Sequence, residues 1–194
     1  MKKMPFASRS VWLFLLALML LTLTACGPNN YVRLRYASTV EPARVQPSAP
    51  AVTVVEFADG RTIKDVGLRR DETPFIPVSS VSAWVSEALE QELSRKGLQT
   101  RYVKNAMDAE PGEHVVTGTV LKVWLRQKTL TDYTVSIETA ISLNGNLPTT
   151  YRAEEERQVI PTSDTTEKQL TEALRSLLAG AVQDITAKIY NTAE

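Results

Sequence analysis

The chain has 194 residues, in which 22 Lys and Arg balance 22 Asp and Glu, with one His and one Cys. This length allows one domain with additional segments. A formal charge of zero excludes the strongly basic surface typical of a nucleic-acid-binding protein. A single Cys excludes an internal disulfide and a thiolate-rich metal site.

Residues 1–25 have the pattern of a secretory signal peptide. Lys2, Lys3 and Arg9 precede an apolar run of thirteen residues, Val11 to Leu23, interrupted only by Thr22. A helix across a ~30 Å hydrocarbon core needs roughly 20 apolar residues, so the run indicates a signal sequence and not a membrane-spanning helix.

Leu23-Thr24-Ala25-Cys26 resembles the bacterial lipobox, an aliphatic residue followed by two small residues and a Cys. The small side chains let the backbone enter a peptidase cleft in extended form, and the Cys26 thiol is nucleophilic enough to take a diacylglycerol thioether. The resemblance implies lipidation of Cys26 and cleavage before it. The alternative is a free buried Cys at the end of an ordinary signal peptide; lipidation is favoured because the basic head, the short apolar run, the lipobox and the single Cys all agree with it.

Removal of the signal peptide changes the charge balance. The mature chain has 19 basic and 22 acidic residues, because residues 1–25 carry three basic and no acidic ones. It gains no electrostatic attraction to anionic lipid, so attachment depends on acyl chains at ~0.8 kcal/mol per buried methylene. Gly27 stands where lipoproteins retained in the inner membrane often have Asp. We therefore expect the outer membrane, with the domain facing the periplasm.

Residues 26–50 are predicted to hold the lipidated Cys and a tether, because four prolines fall in this stretch: Pro28, Pro42, Pro47 and Pro50. Residues 27–50 would span about 25 to 30 Å as a flexible coil and roughly 80 Å when fully extended. Tyr31 to Tyr36 alternates apolar residues with arginines, which makes this piece a candidate edge strand.

Residues 51–194 predict a compact periplasmic domain that begins with a strand and a helix. Ala51 to Phe57 is a β-branched run before an Asp-Gly turn signal. A helix is predicted after Ser80 and is expected to stop at Gly97. Its apolar positions recur at helical spacing: Val81, Trp84, Val85, Ala88, Leu89 and Leu93. Gln99 to Lys104 is a further strand candidate.

The remainder predicts a β meander and a second helix. His114 to Arg126 is expected to alternate strictly between two faces, and the next strand alternates apolar and polar residues from Asp132 to Leu143. Asn144-Gly145-Asn146 turns into a charged edge strand, Thr149 to Ile160. The last helix carries one apolar stripe: Leu170, Leu174, Leu177, Leu178, Ala181, Ile185 and Ile189. The order β-α-β-β-β-β-α predicts an α+β fold, with two helices on one face of a mainly antiparallel four- to five-stranded sheet.

Catalytic patterns are absent from the sequence. The chain has no G-x-S-x-G, H-E-x-x-H, C-x-x-C or P-loop motif, and its one imidazole, His114, lies at a strand start. A glycosidase needs only two carboxylates, which leaves Glu154 and Glu156 as candidates. Their arginine neighbours Arg152 and Arg157 favour an ion-paired, water-facing edge instead. We predict no catalytic residue, no metal site and no cofactor.

Candidate contact residues lie in the connection from Ala58 to Val78 and on the charged strand. Loops of this length are often functional or mobile, so Arg69 and Arg70, with Arg152, form the expected contact surface. The alternative is that these charges only keep the loop soluble. Trp84 and Trp124 are expected in the core and not as ligand-stacking platforms.

Several segments carry a resemblance to the YajG family of small bacterial lipoproteins. They are VTV at 52–54 with Asp59-Gly60-Arg61, VSEALEQELSRKG at 85–97, YTVSIETAISLNGN at 133–146, Tyr151-Arg152-Ala153 and TEALRSLLAGAVQDI at 171–185. The resemblance implies an outer-membrane lipoprotein with a periplasmic α+β domain and no assigned reaction.

Two functional hypotheses follow. The first is a non-catalytic binding or accessory domain, anchored by lipid and facing a periplasmic envelope protein or peptidoglycan, with no nucleic-acid partner. The second is an enzyme that acts on cell wall or glycans through a carboxylate pair. Glu154 and Glu156 discriminate between them, because a flat solvated edge with arginine partners disfavours the enzyme.

Overall fold

The computed structural model describes residues 30–36 and 48–191; the predicted signal peptide and Cys26 lie outside these residues. The described chain forms nine strands, two α-helices and a 3-10 helix at Ala106–Asp108. The strands are β1 (Tyr31–Val32), β2 (Ala51–Val55), β3 (Ala58–Asp59), β4 (Gly67–Leu68), β5 (Pro74–Pro77), β6 (Gln99–Val103), β7 (His114–Gln127), β8 (Asp132–Leu143) and β9 (Thr149–Gln158). The helices are α1 (Val81–Arg95) and α2 (Thr165–Asn191). No helix among the described residues is long and apolar enough to cross a bilayer.

The long strand β7 is the centre of the sheet. On one side it pairs in parallel with β2, then β3, then β4 along its length. On the other side it pairs antiparallel with β8, and β9 continues the meander as an edge strand. Beyond β2 lies β6, and beyond β4 lie β5 and then β1.

The fold is α+β with two helices, as predicted, but the sheet is mixed and has nine strands, so the expectation of a mainly antiparallel four- to five-stranded sheet was wrong in both respects. The parallel pairing of β2 with β6 follows from α1, because a helix in the connection carries the chain back to the starting edge. The connection predicted as a loop contains β3, β4 and β5, of two to four residues each. Strands this short have no periodicity that a sequence pattern can show.

Both helices pack on the same side of the sheet, α1 against β2, β6 and β7 and α2 against β7, β8 and β9. Helix α1 begins at Ser80, whose hydroxyl accepts from the Ala83 backbone N–H at 3.2 Å. It ends before Gly97, whose φ of 86° lets the chain leave the helix. Every residue of the two predicted apolar stripes is buried, which confirms the helical spacing.

Strand β7 departs from the strict alternation that the sequence predicts. A bulge between Val120 and Lys122 shifts the register against β8. Consequently Val116 and Val120 before the bulge, and Val123 and Leu125 after it, all face the helices and are buried. The extra residue, Leu121, is 39% exposed.

Residues 31–36 pack on the rest of the domain, although they fall in the segment predicted as tether. Val32 and Leu34 are each 6% exposed, and the Val78 backbone N–H donates to the Val32 carbonyl at 3.0 Å. The Tyr36 hydroxyl donates to Glu92 on α1, and the Thr171 hydroxyl on α2 donates to the Arg35 carbonyl at 3.1 Å. This segment is therefore fixed to both helices and to β5.

Candidate functional site

The Arg70 end, as we call it, is the end of the sheet where the β4–β5 turn, the β7–β8 turn and the chain after β9 lie close together. The β4–β5 turn, residues 69–73, lies there because β4 runs parallel to β7. The β7–β8 turn, residues 128–131, closes the adjacent hairpin. Ile160 follows β9 at the same end, where the Val159 N–H donates to the Thr131 carbonyl at 2.9 Å. Of the predicted contact residues, Arg69 and Arg70 lie here and Arg152 lies apart, on β9.

The β4–β5 turn is held by its own backbone and by one carboxylate. The Arg69 N–H donates to the Thr73 carbonyl at 2.9 Å, and the Glu72 N–H donates to the Arg69 carbonyl at 3.1 Å. Asp71 accepts from the Thr73 N–H at 3.1 Å and from its hydroxyl at 2.6 Å. These hydrogen bonds from Thr73 lower the pKa of Asp71. The turn is therefore a defined hairpin and not an unstructured loop.

The two neighbouring arginines of this turn have different roles. Arg69 is half-buried, and its guanidinium lies 5.2 Å from the centre of the Phe75 ring. Arg70 is exposed, and its side chain has no hydrogen bond, ion pair or ring contact within the described part of the chain. Arg69 thus stabilises the hairpin, whereas Arg70 is available to a ligand.

Four other charged side chains of the Arg70 end form two ion pairs. Glu72 accepts from both terminal nitrogens of Arg126, one at 2.8 Å, which ties the turn to β7. Lys128 donates to Glu156 at 2.6 Å, which ties the β7–β8 turn to β9. All four side chains are at least a third exposed, so the pairs contribute little to stability. These four side chains together carry no net charge.

Apolar side chains stand out from the Arg70 end into solvent. Leu130 in the β7–β8 turn is 61% exposed and Ile160 is 86% exposed. Tyr31, 63% exposed, lies opposite Ile76 on the neighbouring strand. Because β1 runs parallel to β5, and β5 follows the β4–β5 turn directly, the chain enters β1 from the Arg70 end.

The carboxylates of β9 are paired with cations along an exposed edge. Glu154 pairs with Arg152, and their side chains are 53% and 56% exposed. Glu156 pairs with Lys128, as described, and Glu155 points to the other face, where Arg157 joins it to Glu172 on α2. This is the flat, solvated arrangement that disfavours catalysis by a carboxylate pair. No cluster of metal-ligating side chains occurs within residues 30–36 and 48–191.

The opposite end of the sheet, which we call the Asn144 end, contains His114 and a cavity. The His114 Nδ1 lies 3.0 Å from the Asn144 side-chain nitrogen, and the Asn144 oxygen accepts from the Val115 N–H at 2.8 Å. His114 is therefore locally bonded. A cavity of about 400 Å³ lies between the β8–β9 turn and the last turns of α2, lined by Ile141, Leu143, Asn146, Leu147, Tyr151, Ile185 and Lys188.

The two tryptophans differ in burial. Trp84 on α1 is 4% exposed and belongs to the core, as predicted. Trp124 is half-buried on the face away from the helices, level with Ser136 and Glu154 on the neighbouring strands. The prediction of a core position thus applies fully only to Trp84.

Sequence reasoning missed two ion clusters that shape the loops. Glu113 accepts from Arg101 at 2.8 Å and also from the Thr53 hydroxyl, and these bonds lower its pKa to about 2. Asp59 accepts from Arg61 at 2.9 Å; burial acts to raise the Asp59 pKa, but hydrogen bonds from Arg61 and Lys64 lower it to about 2. Arg61, only 6% exposed, also donates to the Lys64 carbonyl at 3.1 Å. The Asp59-Gly60-Arg61 signal was visible, but only as a turn.

Comparison with known proteins shows a shared fold. No family model matches the chain, and no curated protein matches it in sequence. A crystal structure from Xanthomonas campestris, of the DUF330 family, is similar at a TM-score of 0.56 and 11% identity, over 84% of this chain and 99% of that one. An uncharacterised protein of known structure is similar at a TM-score of 0.50 and 15% identity, over 80% of this chain and 97% of that one.

A third structure, the PelC dodecamer from Paraburkholderia phytofirmans, aligns at a TM-score of 0.41 and 12% identity, over 72% of this chain and 96% of that one. The Xanthomonas campestris structure and the uncharacterised protein, at 11% and 15% identity, establish the α+β fold and nothing finer.

Proposed function

We propose that this protein is a YajG-like outer-membrane lipoprotein, cleaved before Cys26 and lipidated there, whose domain is a non-catalytic binding or accessory module in the periplasm. The observation that carries the proposal is the position of Cys26. It is the only Cys of the chain, and it directly follows a basic head, a thirteen-residue apolar run and Leu23-Thr24-Ala25.

The open face of the sheet supports a binding role for the domain. Both helices cover one face, and the other presents a row of alternating charges in which Lys122, Glu138 and Arg152 lie in register on three adjacent strands. A charged, solvated face suits a polar partner, such as a periplasmic envelope protein or peptidoglycan. Arg70, exposed at the end of the same sheet, extends this candidate surface.

Lipidation is tested by mass spectrometry of the mature chain and of a Cys26→Ser variant. The mature chain is expected to carry a diacylglyceryl group and to fractionate with the outer membrane, and the variant is expected to lose both. A variant that keeps the lipid and the membrane fraction would contradict the anchor.

Partner binding is tested by in-cell photo-crosslinking. Crosslinking residues placed at Arg70, Lys122 and Arg152 are expected to give one or more specific adducts, to be identified by mass spectrometry. Gln183, exposed on the outer side of α2, is the matched control and should give none. The absence of any specific adduct from the three test positions would refute the accessory role at this surface.

A further inference from the structure

We infer that the Arg70 end of the domain rests on the lipid surface of the membrane that anchors it, with Tyr31, Leu130 and Ile160 in contact with the lipid. The inference rests on the proposed lipid anchor at Cys26. It concerns the orientation of the domain, which the anchor alone does not determine.

The first argument is the reach of the chain. Only residues 27–30 separate Cys26 from the first residue of β1. Five Cα-to-Cα steps span at most about 18 Å when fully extended. The headgroup region on each side of a bilayer is about 5 to 8 Å thick, so the start of β1 lies at most roughly 10 to 13 Å beyond the outer limit of the headgroups.

The second argument is that this short connection cannot lengthen at low cost. Releasing residues 31–36 would expose Val32 and Leu34, which are buried, and would break the hydrogen bond from the Val78 N–H. It would also separate Tyr36 from Glu92 on α1 and Arg175 on α2, whose guanidinium lies 5.7 Å from the Tyr36 ring. The entry point therefore stays fixed on the domain surface.

The third argument is the direction of entry. The chain enters β1 from the Arg70 end, so this end is the part of the sheet nearest to the anchor. Leu130 and Ile160 project from the same end with 61% and 86% of their surface exposed. Tyrosine is enriched at membrane interfaces because its ring is apolar and its hydroxyl is polar, which fits Tyr31.

The charges of this end favour an apolar contact over an electrostatic one. Glu72 is paired with Arg126 and Glu156 with Lys128, so these four side chains carry no net charge. We therefore expect the contact to persist at high ionic strength, in contrast to a contact made by a polybasic surface.

The test uses the lipidated full-length mature protein in vesicles of phosphatidylethanolamine and phosphatidylglycerol that carry lipids brominated near the glycerol. Three variants each place one new tryptophan: Leu130→Trp and Ile160→Trp at the Arg70 end, and Leu147→Trp at the Asn144 end as a matched control. Leu147 is also a turn residue and is 92% exposed. The wild-type protein supplies the background emission of Trp84 and Trp124.

Emission from Leu130→Trp and Ile160→Trp is expected to shift to shorter wavelength and to be quenched at least about twofold more than that of Leu147→Trp, at low and at high salt. Equal quenching at both ends, or no quenching at Leu130 and Ile160, would overturn the orientation while leaving the anchor intact. A mature chain without a diacylglyceryl group by mass spectrometry would overturn the proposed function, and this inference with it.

Discussion

Gly67 decides whether β4 can pair with β7, and we expect its replacement by alanine to destabilise the Arg70 end. Its φ of 151° is one that residues with side chains rarely adopt, and a Cβ there would lie 1.9 Å from the Leu125 carbonyl oxygen. The Leu125 N–H donates to the Val66 carbonyl at 2.8 Å, so the two strands cannot separate without losing this hydrogen bond. The clash is with backbone, which has no rotamer to relieve it.

The magnitude follows from two contributions. Overpacking against a fixed neighbour costs about 1 to 3 kcal/mol. A non-glycine residue at an unfavourable positive φ costs about 1 to 3 kcal/mol as well. We therefore expect Gly67→Ala to lower the free energy of unfolding by about 2 to 6 kcal/mol, a large part of the 5 to 15 kcal/mol typical of a domain.

Gly180 provides the matched control, because the same substitution there should have the opposite effect. It lies on the exposed side of α2, and a Cβ would meet no atom within 4 Å. Alanine is the better helix former, so Gly180→Ala should stabilise by about 0.5 to 1 kcal/mol. Urea denaturation followed by circular dichroism measures both. The reasoning is refuted if the free energy of unfolding of Gly67→Ala lies within about 0.5 kcal/mol of the wild-type value.

Three further predictions use the same denaturation assay. Leu34→Ala should lower the free energy of unfolding by about 2 to 5 kcal/mol, because it leaves a cavity beneath residues 31–36. Arg33 is exposed, so Arg33→Ala should change the free energy of unfolding by no more than about 0.5 kcal/mol. Similar values for the two variants would contradict the packing of residues 31–36. The pKa of Glu113 is lowered to about 2 from the ordinary 4.5, so the stability that this carboxylate contributes is present above pH 4.5 and is lost as the pH falls to 2. Glu113→Gln should make the decline in stability at acid pH less steep. An unchanged dependence of stability on acid pH would contradict this role of Glu113. Arg152→Ala should change stability by less than about 1 kcal/mol, because its ion pair with Glu154 is exposed. It should also lower the yield of any adduct formed from the Lys122 position, which lies two strands away in the same row. A larger loss of stability would mean a structural role.

The regular elements were predictable because their patterns are long. In helix α2, apolar residues recur at helical spacing over many turns. The buried side of the helix extends from Leu170 to Ile189, as that spacing predicts. In β8 every residue of the predicted buried face, from Tyr133 to Leu143, is buried, and on the polar face only Ser136 is buried as well. Long patterns average out the local exceptions that obscure short ones.

The architecture of the sheet was predicted less well, for two physical reasons. A two-residue strand such as β4 is defined by its neighbour on β7 and not by its own composition, so no local signal identifies it. The parallel pairing of β2 with β6 did have a signal, because a helix lies between the two strands, and that geometry implies a crossover. The bulge after Val120 moved Val123 to the buried face, against strict alternation.

The candidate site could be located from the sequence but not resolved into roles. Arg69 and Arg70 are equivalent in the sequence, yet the Phe75 ring engages only the first. That ring approaches Arg69 because β4 and β5 form a hairpin, which the sequence pattern did not show. Leu130 and Ile160 lie thirty positions apart and come together only through the β8–β9 meander.

For the exported, lipidated chain proposed above, the packing of residues 31–36 has a consequence for the order of events during export. Tyr36 and Arg35 bind partners 56 and 136 positions further along the chain, the latter on the last helix. The segment can therefore dock only after nearly all of the domain has been translocated and α2 has formed. In a lipidated chain, the unfolded domain would be joined to the anchor by a long flexible connection. In the folded domain only residues 27–30 connect Cys26 to β1, so the completion of folding would bring the domain close to its membrane.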